Sequence, residues 1–137
     1  MFDHLEIRVV PPGPRSAAQV RFRINGEDVI AEAVREGGRG PYTADVLPAG
    51  RPSPLRATGE ARRLNLGEPE CTGGCCGYLT VVVRRFGKVV RWSDWEMPRE
   101  SPLAPGPRPL PQLHFDASQY DAELARAEAD RSWQAQP

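Results

Sequence analysis

Asn25-Gly26 stands between two apolar runs, in Q-V-R-F-R-I-N-G-E-D-V-I-A-E-A-V from Gln19 to Val34. Both central positions of a type I′ turn need positive φ, and Asn-Gly takes that conformation at least cost. A two-residue loop here predicts a hairpin with Phe22 facing Val29 and Val20 facing Ala31. Arg23 then falls opposite Asp28 on the other face, so period, turn chemistry and cross-strand charge agree. A second ribbon is predicted over Y-L-T-V-V-V-R-R-F-G-K-V-V-R-W-S-D-W, Tyr78 to Trp95, turning at Phe86-Gly87. Phenylalanine disfavours positive φ, so a type II turn, or a type I turn with Gly87 as a bulge, fits better than type I′. The register is therefore open by one residue. A two-residue loop sets Val83 against Val90 and Val81 against Trp92. Leu5–Val10 alternates apolar and polar residues and is stopped by P-P-G-P, which reads as another strand. Glu60–Leu66 reads as a short one.

The connections are rich in proline and glycine. Residues 35–59 carry four prolines and five glycines and read as a long surface loop with one short strand near Tyr42–Val46. Residues 96–111 carry six prolines and read as an extended linker. The closing segment, F-D-A-S-Q-Y-D-A-E-L-A-R-A-E-A-D-R-S-W, predicts a helix over 116–132. Asp116 is its N-cap with Gln119 as capping-box partner, and Phe115 and Tyr120 take the staple positions. Tyr120, Leu124 and Ala127 share a narrow apolar face. The 137 residues thus describe a single domain, mainly β within the α+β class. The expected architecture is an antiparallel sandwich or partly closed barrel with one C-terminal α-helix.

Charge narrows the function. Eighteen basic and eighteen acidic side chains cancel, and they balance within each half of the chain. Nucleic-acid binding leaves a net basic footprint, so the balance argues against that partner. No window approaches the apolar run needed to span a bilayer, which argues against a membrane partner. The N-terminus, M-F-D-H-L-E-I-R, lacks the basic flank and apolar stretch of a signal peptide, so a cytoplasmic location is expected. Thiols stay reduced there, and an odd count of three could not pair fully within one chain.

All three cysteines lie in E-C-T-G-G-C-C-G, residues 70–77. Structural zinc takes four ligands, and the spacing of Cys71 and Cys75 falls within its usual range. Cys71, Cys75 and Cys76 with His114 as the fourth ligand form the candidate metal set. Against it, there is no second Cys or His pair, and neighbouring side chains such as those of Cys75 and Cys76 diverge in an extended chain. Redox chemistry lacks a Cys-x-x-Cys pair, and Glu70 would raise a thiol pKa. A nucleophilic cysteine needs a base and an orienting group. His114 and Asp116 are close in sequence, but Asp116 is committed as a cap. No serine sits on a G-x-S-x-G turn. No catalytic residue is assigned, which argues against an enzyme. The plainer alternative makes Gly73-Gly74 a tight turn, with the thiols as small apolar fillers and no cofactor.

W-S-D-W sets Trp92 and Trp95 on opposite faces of a regular strand. Trp92 belongs to the core, leaving Trp95 partly exposed. Trp95, with Arg91 and Arg99 nearby, and Trp133 beyond the helix, are the candidate interface residues.

E-C-T-x-G-C-C-G, V-V-x-R-x-x-G-x-V-V-x-W-S-D-W and F-D-A-x-Q-Y-D-A-E-L-A-R-A-E-A-D-R-S-W together resemble an uncharacterised family of bacterial proteins from high-GC genomes. The resemblance runs from about Leu5 to Trp133. It implies no activity, and no functional residue is carried over. Family members place an acidic turn where this chain has Phe86-Gly87 and continue past the position of Trp133, so W-Q-A-Q-P reads as a truncated or divergent tail. The expected function is a non-enzymatic module, of accessory or immunity type, that binds another protein. A zinc or thiol-redox protein centred on Cys71, Cys75 and Cys76 is the alternative.

Overall fold

The computed structural model describes residues 2–14, 17–34, 38–68, 78–96 and 110–130. Its elements in chain order are β1 (Leu5–Val10), β2 (Gln19–Ile24), α1 (Val29–Val34), α2 (Thr43–Val46), β3 (Arg62–Gly67), β4 (Leu79–Phe86), β5 (Val89–Glu96), β6 (Leu113–Asp116) and α3 (Ala117–Ala129). The strands form a two-stranded sheet, β1-β2, and a four-stranded sheet, β3-β4-β5-β6. Every pairing within them is antiparallel. Neither sheet closes into a barrel, and the arrangement is a sandwich-like α+β fold.

The Asn25-Gly26 turn forms as its chemistry requires, with φ of 55° and 84° and a tight bridge between Ile24 and Glu27. The strand expected after it does not. β2 pairs instead with β1, setting Phe22 opposite Ile7 and Val20 opposite Val9. V-I-A-E-A-V becomes α1, with Ile30, Ala33 and Val34 buried. Those three positions repeat at helical spacing, so the same six letters fit both periods. Two observations account for the helix. Asp28 caps it, accepting a hydrogen bond from the Ala31 N–H at 2.9 Å. β1 also takes the strand-pairing role that the predicted hairpin gave to this segment. Asp28 accordingly lies 3.7 Å from Arg21, while Arg23 donates to the Gly26 carbonyl.

Residues 38–59 are also more than a surface loop. Thr43–Val46 is a helical turn, not a strand. Val46, Leu47, Leu55 and Ala57 are buried in the core. Buried Ser53 ties this segment together by donating to the Val46 carbonyl and accepting from the Leu55 N–H.

β4 and β5 form the second ribbon, with the loop one residue later than the sequence reading placed it. Phe86 pairs with Val89 and Val83 with Trp92, leaving Gly87-Lys88 as the loop. Gly87 has φ 57°, and glycine in the first loop position is the pattern of a type II′ turn. The shift moves Trp92 opposite Val83, not Val81, and keeps all three on the core face. Further along β5 a register irregularity coincides with Asp94 at φ 52°. The extra residue reverses the alternation. Trp95 therefore does not face away from Trp92, and the two rings meet edge to face with centroids 6.2 Å apart.

Residues 97–109 of the expected linker lie outside the described residues, and just beyond the linker Leu113–Asp116 forms a strand, β6, on the free edge of β5. Asp116 then caps α3 by accepting from the Gln119 N–H at 3.1 Å. α3 runs over Ala117–Ala129 with Asp130 at its C-cap, inside the expected 116–132. The two sheets and the helix share one interior centred on Trp92, which packs edge to face on Phe22, Phe115 and Tyr120. Such pairs each contribute about 0.5–1.5 kcal/mol beyond their area. Phe22, Val81 and Trp92 are all fully buried, as a common core demands.

Candidate functional site

Alternation along β4 and β5 sends one set of side chains into this core and the other to the outer face of the four-stranded sheet. The inward set is apolar: Leu79, Val81 and Val83 on β4, Val90 and Trp92 on β5. The outward set includes Arg84, Phe86, Arg91 and His114, of which only Arg91 is half-buried and the rest are exposed. The pairing makes one row across three strands, Arg84 opposite Arg91 and Arg91 opposite His114. Phe86 follows Arg84 on the same face and is 41% exposed, an uncommon position for a phenylalanine.

Two guanidinium groups lie over that ring, Arg91 with its central carbon 4.4 Å from the ring centroid and Arg84 at 4.7 Å. Like charges directly opposite one another across two strands repel. The other sheet holds a similar pair, Arg8 opposite Arg21, but there each arginine has its own acid, Glu6 for Arg8 and Asp28 for Arg21. Among the described residues neither Arg84 nor Arg91 has a carboxylate partner. Arg84 uses its Nε–H on the Gly59 carbonyl at 2.9 Å. The Arg91 Nε is buried and makes no hydrogen bond with any described residue. Their charges are offset by the π-face of Phe86, which holds both forks in fixed directions. Arg63, on the same face, is already engaged: it donates to Thr80 and to the Asp94 carbonyl and lies 3.6 Å from Glu96.

Two other depressions are each lined by an ion pair formed within the chain. A groove of about 520 Å³ runs between β1 and α3. There Glu123 accepts from the Ile7 N–H at 2.6 Å, and Arg126 donates both to Glu123 and to the Ile7 carbonyl. Partial burial pushes the Glu123 carboxyl up, but the hydrogen bonds from Arg126 and Ile7 outweigh it and hold the carboxyl below its ordinary value. The same contact, led by the hydrogen bond to Glu123, raises Arg126. A cleft of about 340 Å³ lies where β3 ends and β4 begins. In it Arg39 pairs with Glu68 and lies over the Tyr42 ring at 4.4 Å.

Of the residues singled out from the sequence, Arg91 stands in the outer-face row. His114 stands in that row too, exposed on β6, and its backbone N–H is held by Asp3 at 2.8 Å. Trp95 is half-buried against Trp92 and donates its indole N–H to the Pro111 carbonyl at 2.9 Å. Cys71, Cys75, Cys76, Arg99 and Trp133 lie outside the described residues. Among the described residues no group of three metal-ligating side chains converges, and no helix is long and apolar enough to cross a membrane. Arg84 and Phe86 were not singled out from the sequence. Their parity with Arg91 across the turn was the available signal, and it needed the correct loop position to be read.

No family model, no curated protein and no solved structure matches the chain.

Proposed function

We propose that this chain is a non-enzymatic module that binds another protein through the outer face of its four-stranded sheet. The observation that supports this is Phe86, exposed at the sheet surface with Arg84 and Arg91 over its ring and no carboxylate among the described residues paired to either. Aromatic and arginine side chains are the types enriched where binding energy concentrates. Stacking removes much of the rotamer freedom that an arginine otherwise loses on binding.

The test is photocrosslinking in cells. A benzophenone amino acid replaces Phe86 in one chain and Arg8, on β1 of the two-stranded sheet, in another. A discrete protein adduct from position 86, absent from position 8 and lost on Arg91→Glu, supports the proposal. The same adducts from both positions, or none from either, refute it.

A further inference from the structure

Resting on that reading, we infer that the partner segment is an extended, acidic stretch of polypeptide that sets two carboxylates, two residues apart, on Arg84 and Arg91. The contrast between the two sheets carries the inference. At Arg8 and Arg21 the opposed arginines are each answered by an acid from within the chain. At Arg84 and Arg91 no described residue supplies the acids, although the chain as a whole carries as many acidic as basic groups.

Geometry sets the spacing. Both guanidinium carbons lie over one ring, so they are within about 9 Å of each other. Alternate residues on one face of an extended chain stand about 7 Å apart. A carboxylate at each of two alternate positions therefore meets one fork each, and the side chain between them points away. Arginine forks take carboxylates in a bidentate manner, and His114 continues the row for a further polar contact.

The rim selects a short acidic segment over a polyanion. Asp94 is exposed on β5, Glu96 is 66% exposed beside Arg63, and Asp116 and Asp3 lie next to His114 on β6. A nucleic acid would track its phosphates across those carboxylates and meet repulsion on each side. A segment with only two acids stays within the row.

Selection from phage-displayed random peptides against the full chain, followed by fluorescence anisotropy with the selected peptide, tests this directly. The expected result is enrichment of sequences with two acidic residues at i and i+2. Changing both acids to glutamine should weaken binding by about tenfold or more, as should Arg84→Gln or Arg91→Gln, each removing one charge-assisted contact. Arg91→Lys, which keeps charge but not the fork, should fall between. Arg8→Gln, at a surface pair on the two-stranded sheet, should bind as the parent does. Selected peptides without acids, equal binding of the glutamine peptide, no selection at all, or tighter binding of oligouridylate than of the acidic peptide would overturn the inference. If the Phe86 adduct forms while the acidic peptides fail, the acidic partner is wrong and the docking face stands. If no adduct forms, the docking face itself is wrong.

Discussion

Gln119 on α3 offers both halves of its amide to one residue of β1: its Oε1 accepts from the Leu5 N–H at 3.1 Å, and its Nε2 donates to the Leu5 carbonyl at 2.7 Å. The side chain thus does for Leu5 what a neighbouring strand would do. Two residues on, Glu123 and Arg126 repeat the arrangement at Ile7, one accepting from the N–H and the other donating to the carbonyl. An edge strand with free N–H and C=O groups is a template for unwanted pairing, and α3 closes that edge with side chains spaced along its own length.

Gln119→Glu should therefore destabilise the fold by about 1–3 kcal/mol, since the Leu5 carbonyl loses its donor and faces a carboxylate. Urea denaturation gives the loss. Amide exchange tells the two contacts apart: Leu5 should stay protected in Gln119→Glu, which still accepts its N–H, and lose protection in Gln119→Leu.

The Glu123 contact has a pH dependence whose sign follows from its depressed pKa. A carboxyl held below its unfolded value contributes stability above that value and loses it as pH falls through the folded one. Glu123→Gln should be less stable than the parent at neutral pH, and the gap should shrink as pH drops below the ordinary glutamate range, near 4.3. Urea midpoints of both proteins across that range check it. A gap independent of pH would mean that packing, not charge, supplies the contact.

The local signals in the sequence located most strands and the last helix, because turn residues, caps and alternation act over a few residues. Asn25-Gly26 turned as expected, and Asp116 capped α3. What failed were choices that local patterns leave degenerate. V-I-A-E-A-V satisfies both a strand and a helix, and the Asp28 cap together with the pairing of β2 with β1 decides for the helix. L-H-F-D is four residues long, too short for alternation to register before the helix signal overtakes it. The face of Trp95 depends on a bulge at Asp94, a non-glycine residue in the left-handed region, which no residue type announces. Gln119 was expected to close the capping box, yet its side chain reaches Leu5, far away in sequence. The outer-face row is a product of register, so Arg91 could be singled out alone but not joined to Arg84 and His114.

Gly40 and Gly26 separate two ways in which glycine is needed. A Cβ on Gly40 would collide with the Val20 carbonyl, a backbone atom that cannot swing aside. Gly26 has open space around it but sits at φ 84°. Gly26→Ala should cost about 1–2 kcal/mol, the left-handed penalty alone. Gly40→Ala should also cost about 1–3 kcal/mol, through displaced backbone. Exchange at the Val20 amide, which donates to the Pro41 carbonyl at 2.8 Å, should quicken only in Gly40→Ala.

Tyr120 joins three parts of the fold through one hydroxyl. It donates to the Leu55 carbonyl at 2.6 Å and accepts from the Trp92 indole N–H at 3.3 Å, entirely within the core. Burial is the main reason its pKa stands above the ordinary tyrosine value, with the Trp92 hydrogen bond acting against that and the charge of Asp121 adding to it. Tyr120→Phe keeps the ring contacts with Trp92 and Phe115 but orphans a buried carbonyl and a buried N–H. Each unsatisfied group costs about 1–3 kcal/mol, so the variant should lose clearly more than the 0.5 kcal/mol or so typical of a surface change. Denaturant unfolding followed by tryptophan fluorescence measures the loss. Because Leu55 lies in the segment joining α2 to β3, amide exchange around Ser53 and Leu55 should also quicken, ahead of the core strands. Unchanged exchange there would show that the segment is held by Leu47, Ser53 and Leu55 packing, and not by the hydroxyl.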